Sequence, residues 1–362
     1  MDRILKKDEQ AILLLRKLYQ GYGYQPYKMS RFEEYDLYVR NKDFLVSDQV
    51  ITFSDRSGKL LALKPDVTLS IIKNAGKSAD VQRVYYNENV YRVDPQTRAF
   101  REIMQTGLEC IGDLSSADVA EVMLLAAQSL EKLGKNFVLD ISHMGIVSGV
   151  LRRCELSHEG QKRALQYLHQ KNAHELRHLC EEENCAADDL LALAECSGAP
   201  KEVFEKLQNM QIGKPFAQLQ QICSVLETFG FGDNIRVDFS VGTDMKYYSG
   251  VVFKGYLEGI TTWILSGGQY DKLLQKMGRG GNAVGFAIYL NLLEQIREKT
   301  DFDVDAVVLY PEEMDAAQVL AAAAVLRKEE NVLTVTRLPE NLRWRKLYAF
   351  QNGEAVLIEN NG

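Results

Sequence analysis

Two stretches of the sequence decide the fold: Val81-Gln-Arg-Val-Tyr-Tyr-Asn-Glu-Asn-Val-Tyr-Arg-Val-Asp94 and Ile103-Met-Gln-Thr-Gly-Leu-Glu-Cys-Ile-Gly112. The polar loop between them contains proline, and their β-branched and aromatic residues predict two long neighbouring strands. Upstream, Val50-Ile-Thr-Phe-Ser54 and Lys59-Leu-Leu-Ala-Leu63 flank the turn sequence Asp55-Arg-Ser-Gly58 and predict a hairpin. Antiparallel hairpins with helices between them indicate an α+β protein and argue against a doubly wound parallel sheet.

Periodicity predicts further helices and strands along the chain. Residues 8–22 predict an opening helix, and Ser115-x-x-Asp118 predicts a capping box at the start of another. Further extended stretches are expected at residues 235–239, 247–256, 260–265 and 283–288. A helix is expected to follow the last of these strands, to about Glu298.

The same patterns divide the chain into three parts. Residues 1–145 and 231–298 predict a discontinuous core, and the polar, helical texture of residues 146–230 predicts a helical insert within it. Residues 299–362 predict a short α/β segment of strand, helix, strand and a hairpin around Asn352-Gly353.

Composition and charge exclude several classes of protein. Of the 362 residues, 46% are hydrophobic and 26% charged, which argues against disorder. The formal net charge of −7 disfavours binding to nucleic-acid backbone, so we expect no nucleic-acid partner. No apolar run approaches the ~18–20 residues that span a bilayer, and the first segment is charged, so we expect neither a membrane segment nor a signal peptide. Six cysteines without a C-x-x-C pair predict reduced thiols in a cytoplasmic protein.

Two motif-like stretches are interpreted as structural. His174-Glu-Leu-Arg-His178 fits the zinc pattern H-E-x-x-H, but no histidine follows His178 to serve as a third ligand, and its neighbours resemble a solvated helix face. We therefore expect no metal site. The glycine-rich stretch from Gly278 to Gly285 precedes an apolar strand, whereas dinucleotide-binding loops follow one, so it predicts a turn whose glycines adopt positive φ.

A candidate ligand site lies in the second long strand. Strand alternation places Gln105, Gly107 and Glu109 on one side. A carboxylate and an amide, with a glycine clearing space between them, would form the floor of a small-ligand site. The same pattern also fits a solvent-facing polar stripe, because half-exposed antiparallel strands alternate in this way. The residues alone leave both interpretations open.

Several blocks in the same order resemble the catalytic core of class II histidyl-tRNA synthetases, across roughly residues 10–298. Leu63-Lys-Pro-Asp-Val-Thr68 resembles that family's Leu-Arg-Pro-Glu-x-Thr segment, and Gln105-Thr-Gly-Leu-Glu109 matches its Gln-x-Gly-x-Glu. Val90-Tyr-Arg-Val-Asp94 resembles its motif 2, and the stretch from Gly267 to Ala287 resembles the approach to motif 3. The resemblance implies a class II aminoacyl-tRNA synthetase-like antiparallel sheet with flanking helices, a helical insert and a short α/β C-terminal tail.

The same resemblance implies a histidine-binding pocket. The residues that would face the α-amino group and the ring of histidine are Asp66, Thr68, Gln105 and Glu109. Tyr248 and Tyr270 would face the imidazole. This chemistry is consistent, because carboxylates suit an ammonium group and phenolic hydroxyls suit ring nitrogens.

The departures from that family concern ATP chemistry. Asn291 stands where motif 3 carries an arginine that holds ATP, and Thr243 replaces a second arginine near the α-phosphate, with Lys246 as the nearby substitute. Adenylate formation builds charge at that phosphate, and losing one stabilising donor costs ~3–4 kcal/mol. Arg92 and Arg101 are retained and would be vestigial phosphate contacts. The reduced tail and the acidic charge argue against tRNA recognition.

A retained amino-acid pocket, lost ATP chemistry and a reduced C-terminal part together resemble the family of ATP phosphoribosyltransferase regulatory subunits. This resemblance implies a non-catalytic, cytoplasmic protein that needs no cofactor. It would form a hetero-oligomer with the catalytic subunit, activate it, and take part in histidine feedback on the first step of histidine biosynthesis. Self-association through the synthetase-like core is expected as well.

Two alternatives stay open at the level of the sequence. One is a divergent class II synthetase-like enzyme that adenylates an amino acid or a small carboxylate, with Arg92, Arg98 and Arg101 binding the nucleotide. The other is a purely structural partner whose pocket is vestigial.

Overall fold

A computed structural model of the chain describes residues 5–45, 50–75, 80–94, 97–210, 212–242, 247–296 and 302–361. The chain forms two compact units, Met1–Ile296 and Arg297–Gly362. None of the helices in the described ranges is long and apolar enough to cross a membrane.

The first unit contains both strands and helices. Its strands, in chain order, are β1 (Gln25–Pro26), β2 (Phe32–Glu34), β3 (Thr52–Ser54), β4 (Leu60–Leu63), β5 (Gln82–Val93), β6 (Phe100–Gly112), β7 (Phe137–His143), β8 (Ser197–Gly198), β9 (Ile235–Asp238), β10 (Val251–Leu257), β11 (Leu265–Gln269) and β12 (Asn282–Tyr289). Its helices are α1 (Lys7–Gly21), α2 (Tyr35–Arg40), α3 (Thr68–Asn74), α4 (Ser116–Leu133), α5 (Met144–Arg153), α6 (His158–His169), α7 (Ala173–Glu182), α8 (Asp188–Glu195), α9 (Pro200–Leu207), α10 (Lys214–Thr228) and α11 (Asp271–Lys276).

A nine-stranded sheet forms the centre of this unit, in the order β1-β5-β6-β12-β11-β10-β7-β9-β8. The two long predicted strands pair antiparallel along their length, with Tyr86 opposite Gly107. Among the described pairings of this nine-stranded sheet, only β1 with β5 and β7 with β9 are parallel. The α+β prediction is therefore confirmed, because an antiparallel ladder dominates the sheet.

Helix α4 packs on one face of the sheet and begins as predicted. Ser115 Oγ accepts the Asp118 N–H at 3.2 Å, and Asp118 Oδ2 accepts the Ser115 N–H at 2.8 Å, which completes a capping box. The apolar side of α4 is buried in the largest core cluster together with α1. The hydroxyl of Tyr19 on α1 lies 3.0 Å from Ser129 Oγ on α4 and joins the two helices.

A second, three-stranded sheet has the order β2-β4-β3. Ser54 pairs with Leu60 across the turn, which confirms the predicted hairpin. Asp55 Oδ1 accepts the backbone N–H groups of Ser57 and Lys59 at 2.8 and 2.9 Å, so the turn is closed by its own aspartate.

Helices α5 to α10 occupy residues 144–228, hereafter the helical segment. The presence of these helices agrees with the prediction that this part of the chain is mainly helical. The boundaries of the predicted core and insert stay predictions.

Two details of the strand predictions were wrong. Residues 247–250 are not in a strand, since β10 begins at Val251, and residues 260–264 are not in a strand, since β11 begins at Leu265. Instead, the glycine-rich stretch around Gly267 and Gly268 forms the strand, which pairs with β12. Glycines are needed there, since close contacts leave no space for side chains. The helix expected after β12 is present as a 3₁₀-helix, Leu290–Gln295.

The second unit contains β13 (Val304–Leu309), α12 (Ala316–Leu326), β14 (Val332–Val335), β15 (Trp344–Gln351) and β16 (Glu354–Asn360). The predicted order of strand, helix, strand and hairpin is confirmed. Asn352 and Gly353 have φ of 50° and 88°, the positive values that a two-residue hairpin turn of type I′ requires. One helix packs against the four-stranded sheet β14-β13-β15-β16 in the described residues.

Candidate ligand-binding site

A cavity of about 220 Å³ opens on strands β6, β11 and β12 of the nine-stranded sheet. The structure brings seven of the predicted site residues together in its lining: Asp66, Thr68, Arg92, Gln105, Glu109, Tyr248 and Tyr270. Arg101 is not among the lining residues, because its Nε lies 2.8 Å from Asp94 Oδ2 on a side chain that is 58% exposed. A role for these residues in binding stays a prediction at this point.

The floor of the cavity comes from β6. Gln105 and Glu109 are both buried, which excludes the alternative of a solvent-facing stripe. Between them Gly107 has no room for a side chain, since a Cβ there would collide with Phe286 O and lie 2.6 Å from the Tyr86 hydroxyl. The space that the glycine clears is therefore filled by Tyr86, a lining residue that the sequence analysis did not single out.

Glu109 is the most constrained group in the cavity. The Tyr270 hydroxyl donates to Oε2 at 2.5 Å, and Thr68 Oγ1 donates to Oε1 at 2.8 Å. On the strand opposite, a Cβ at Gly285 would collide with the Glu109 carboxylate, so only glycine fits at that position. The carboxylate is thus fixed from three sides by β6, β12 and the residues at the ends of α3 and α11.

Burial controls the charge of this site. Desolvation raises the pKa of Glu109 to about 8, and the hydrogen bonds from Tyr270 and Thr68 offset it only in part. Desolvation also raises the pKa of Asp66. The backbone N–H of Leu69, which donates to Asp66 Oδ1 at 2.9 Å, lowers that pKa but offsets the desolvation only in part. A cationic ligand group would relieve both penalties, because an opposite charge favours the ionised carboxylates.

Three tyrosines form one side of the cavity, hereafter the tyrosine wall: Tyr247, Tyr248 and Tyr270. The ring centroids of Tyr247 and Tyr248 are 4.7 Å apart, and those of Tyr247 and Tyr270 are 5.9 Å apart. Tyr248 packs over Gly268, where a Cβ would lie 2.6 Å from its ring. Burial raises the pKa of Tyr247 and Tyr270 well above the usual range, so both hydroxyls stay protonated and available as donors.

Several lining residues were missed from the sequence: Phe44, Leu45, Tyr86, Tyr247, Trp263, Ser266, Phe286, Ala287 and Tyr289. Tyr247 is adjacent to a predicted residue, and Tyr289 lies directly opposite Gln105 in the ladder between β12 and β6. That register could have indicated Tyr289, but Phe44 and Trp263 come from segments that carry no ligand motif.

Arg92 is the one cation among the described residues that line the cavity. Its Nε donates to Pro65 O at 2.9 Å, and its guanidinium carbon lies 6.0 Å from the centroid of the Tyr289 ring. Next to Pro65, the fully buried Lys64 pairs with Glu88 on β5 and fixes this part of the chain against the sheet.

Asn291 and the H-E-x-x-H stretch do not line the cavity. Asn291 is exposed on the 3₁₀-helix after β12. Thr243 and Lys246 lie outside the described residues. His178 of the H-E-x-x-H stretch is 58% exposed on α7 and its Nδ1 lies 3.2 Å from Glu182 Oε1. No group of three or more histidines, cysteines or carboxylates in the described ranges could hold a metal ion.

The glycine-rich stretch before β12 is a turn, as predicted. Gly278 and Gly281 have φ of 71° and 88°, which side chains rarely tolerate. A Cβ at Gly281 would lie 2.8 Å from Gly112 O, so this turn also needs glycine for the close approach of the two strands.

Replacing Glu109 by glutamine should remove a pH-dependent loss of stability. The folded pKa of about 8 lies above the unfolded value, so between these two values the folded state holds a proton that the unfolded state has released. The stabilising contribution of Glu109 to the unfolding free energy is complete below its pKa in the unfolded state. It disappears as the pH rises through its pKa in the folded state. From this group alone, the unfolding free energy of ligand-free protein should fall by roughly 1.4 kcal/mol per pH unit in that window.

Urea unfolding of both proteins at several pH values in that window measures the difference. Glu205→Gln, a change at an exposed carboxylate on α9, serves as the matched control. Parallel pH profiles for the wild type and Glu109→Gln would contradict a carboxyl group with a strongly raised pKa.

Comparison with known proteins points to one family. Residues 3–293 match the family model described as histidyl-tRNA synthetase. The ATP phosphoribosyltransferase regulatory subunit of Alkaliphilus metalliredigens is 31% identical over 289 residues, which cover 76% of this chain and 72% of that protein.

Solved structures share the fold. The crystal structure of an ATP phosphoribosyltransferase regulatory subunit/histidyl-tRNA synthetase from Bacillus halodurans has a TM-score of 0.74 at 24% identity, over 95% of this chain and 93% of that one. The ATP phosphoribosyl transferase (HisG:HisZ) complex from Thermotoga maritima has a TM-score of 0.65 at 19% identity, over 78% and 97%. The predicted synthetase-like fold is confirmed. With the match to the family model and the 31% identity, the chain belongs to the histidyl-tRNA synthetase-like family and, within it, to the ATP phosphoribosyltransferase regulatory subunits.

Proposed function

We propose that this chain is a non-catalytic regulatory subunit that activates the catalytic subunit of ATP phosphoribosyltransferase and binds histidine in the cavity on β6. Family membership supports the regulatory role. The observation that carries the proposal is the composition of the cavity, in which the buried Glu109, the half-buried Asp66 and several tyrosines are joined by a single described cation, Arg92.

Histidine fits the size and the chemistry of the cavity. A volume of about 220 Å³ lies below the ~300–1,000 Å³ of pockets for drug-sized ligands and suits one amino acid. Asp66 and Glu109 would accept from the ammonium group and the ring. Within the described residues Gln105 Nε2 is buried without a hydrogen-bond partner, so a ligand acceptor there would satisfy it.

The scarcity of cations supports a non-catalytic role, since Arg92 alone among the described lining residues is positively charged. Adenylate formation needs fixed positive groups around the α-phosphate. Arg92 already donates through Nε to Pro65 O, and Asn291 is exposed on the 3₁₀-helix, away from the lining residues. The threonine at position 243 brings no charge to replace the family's arginine.

The partner proposed is the catalytic subunit, in a hetero-oligomer. A neighbour in fold, the Thermotoga maritima protein, is described as part of an ATP phosphoribosyl transferase complex of two components. The cytoplasm is the proposed location, and it is supported by the cysteines, all six of which are free thiols as expected in a reducing compartment.

Self-association through the core is supported by an exposed apolar face on the three-stranded sheet. Phe32 and Phe53 stand with ring centroids 5.7 Å apart, and they are 46% and 40% exposed. The two rings share one face of the sheet, because Phe32 pairs with Leu63 and Phe53 with Leu61, and Val39 on the adjacent α2 is exposed as well. Exposed aromatic pairs of this kind support an interaction surface, and a second copy of the chain is its proposed occupant.

Reconstitution with the catalytic subunit of the same organism tests the proposal. The two chains should co-elute in size-exclusion chromatography, and adding this chain should raise the rate of phosphoribosyl transfer to ATP. Histidine should lower that rate. With Glu109→Gln the activation should persist, while the histidine concentration for half-inhibition should rise roughly tenfold or more, since allosteric coupling is typically ~1–3 kcal/mol.

Glu205→Gln, exposed on α9, is the control and should leave both effects unchanged. Absence of a complex and of any activation would contradict the regulatory role. Activation with a histidine response that Glu109→Gln does not alter would contradict the assignment of the ligand site.

The alternative, a divergent adenylating enzyme, is favoured only by the position of Arg92 in the cavity lining. Incubation with ATP, histidine and labelled pyrophosphate distinguishes the two functions. We expect no histidine-dependent exchange, because losing each phosphate-stabilising donor costs ~10²–10³-fold in rate. Clear exchange that disappears in Arg92→Gln would establish the enzyme instead.

A further inference from the structure

Gln218 on α10 connects the helical segment to the sheet beside the cavity. Its Oε1 lies 2.9 Å from His143 Nε2 at the end of β7. Its Nε2 donates to Gln269 Oε1 on β11 at 3.3 Å. Gln218 is therefore a polar bridge between the helical segment and two strands of the nine-stranded sheet.

The direction of this bridge is fixed by the backbone. The Gly145 N–H donates to His143 Nδ1 at 3.0 Å, so the neutral ring carries its proton on Nε2 and donates to Gln218 Oε1. The amide of Gln218 is thereby oriented with its NH₂ group toward Gln269. Burial lowers the pKa of His143, which agrees with a neutral ring.

Gln269 carries the bridge to the tyrosine wall. Its Oε1 also accepts the Val251 N–H at 2.9 Å, and its carbonyl accepts the Ser249 N–H at 2.8 Å. At Gly250 a Cβ would collide with the Gln269 amide, so the side chain of Gln269 fills the space against this backbone. Both ends of the wall are affected, because Tyr270 follows Gln269 in the chain and Tyr248 precedes Ser249.

We propose that Gln218 is a positioning residue for the tyrosine wall: through Gln269 it holds Tyr248 and Tyr270 in place and lets the helical segment set the affinity of the cavity for its ligand. The choice of histidine as that ligand rests on the proposed function. Gln218 itself does not line the cavity, so its effect on binding would be transmitted through the bridge.

Other contacts keep the helical segment docked when this bridge is broken. Lys171 Nζ lies 2.6 Å from Asp238 Oδ2, and His169 Nδ1 lies 2.9 Å from Ser240 O. The segment also contributes many residues to the largest core cluster. A single change at Gln218 should therefore leave the protein folded.

Gln218→Glu is the sharpest test, because it keeps the size and the acceptor for His143 while it removes the donor that faces Gln269 and adds one negative charge. Gln221→Glu, exposed on the same helix, adds the same charge away from the bridge and is the control. Amide hydrogen exchange of residues 247–251 in the ligand-free proteins reports on the wall. Histidine titration, followed by Trp263 fluorescence in a Trp344→Phe background, reports on affinity.

We expect faster exchange at residues 247–251 in Gln218→Glu, an unchanged thermal midpoint, and histidine binding weakened roughly threefold to tenfold, as for the loss of one hydrogen bond. Gln221→Glu should match the wild type. Equal exchange and equal affinity in the two variants would overturn the proposal. If the wild type fails to bind histidine while exchange is still faster in Gln218→Glu, the positioning role stands and the proposed ligand is wrong.

Discussion

The buried carboxylate of Glu109 is the interaction on which the cavity depends. Two hydroxyl donors, from Tyr270 and Thr68, hold it on the nine-stranded sheet, where its side chain is buried. A carboxyl group in such a place is costly when ionised, and its pKa of about 8 expresses that cost. The charge of a cationic ligand favours the ionised carboxylate and so reduces this cost. The site is therefore selective for ligands that carry a positive charge.

The sheet around Glu109 is shaped to permit this arrangement. Glycines at 107, 268 and 285 let an aromatic ring, a backbone or the carboxylate itself approach the strands closely. The register of β6 with β12 places Gly285 opposite Glu109 and Tyr289 opposite Gln105. The binding site therefore depends on the register of the sheet, since a one-residue slip of this ladder would turn Glu109 to the other face.

Much of this arrangement could be predicted from the sequence, and the failures have physical reasons. The capping box at Ser115 and the alternation at Gln105 and Glu109 are local signals, and both hold in the structure. Strand β11 was misplaced because its glycines have low strand propensity, and pairing with β10 and β12 on its two sides makes them a strand. Arg101 lies opposite Arg92 in the ladder and shares the face of Gln105 and Glu109, yet its ion pair with Asp94 holds it on an exposed side chain outside the cavity lining. Phe44 and Trp263 reach the cavity through tertiary packing, for which a single sequence gives no signal.

The central claim is that a buried, protonated Glu109 becomes ionised when histidine binds. Carbon-13 NMR of protein labelled at the glutamate side-chain carboxyls, with Glu109 assigned from the spectrum of Glu109→Gln, tests it most directly. We predict that the Glu109 resonance titrates near pH 8 in the free protein and moves to the position of an ionised carboxylate when histidine is added near neutral pH. A resonance that titrates near the ordinary glutamate pKa, or that saturating histidine leaves unmoved, would contradict it.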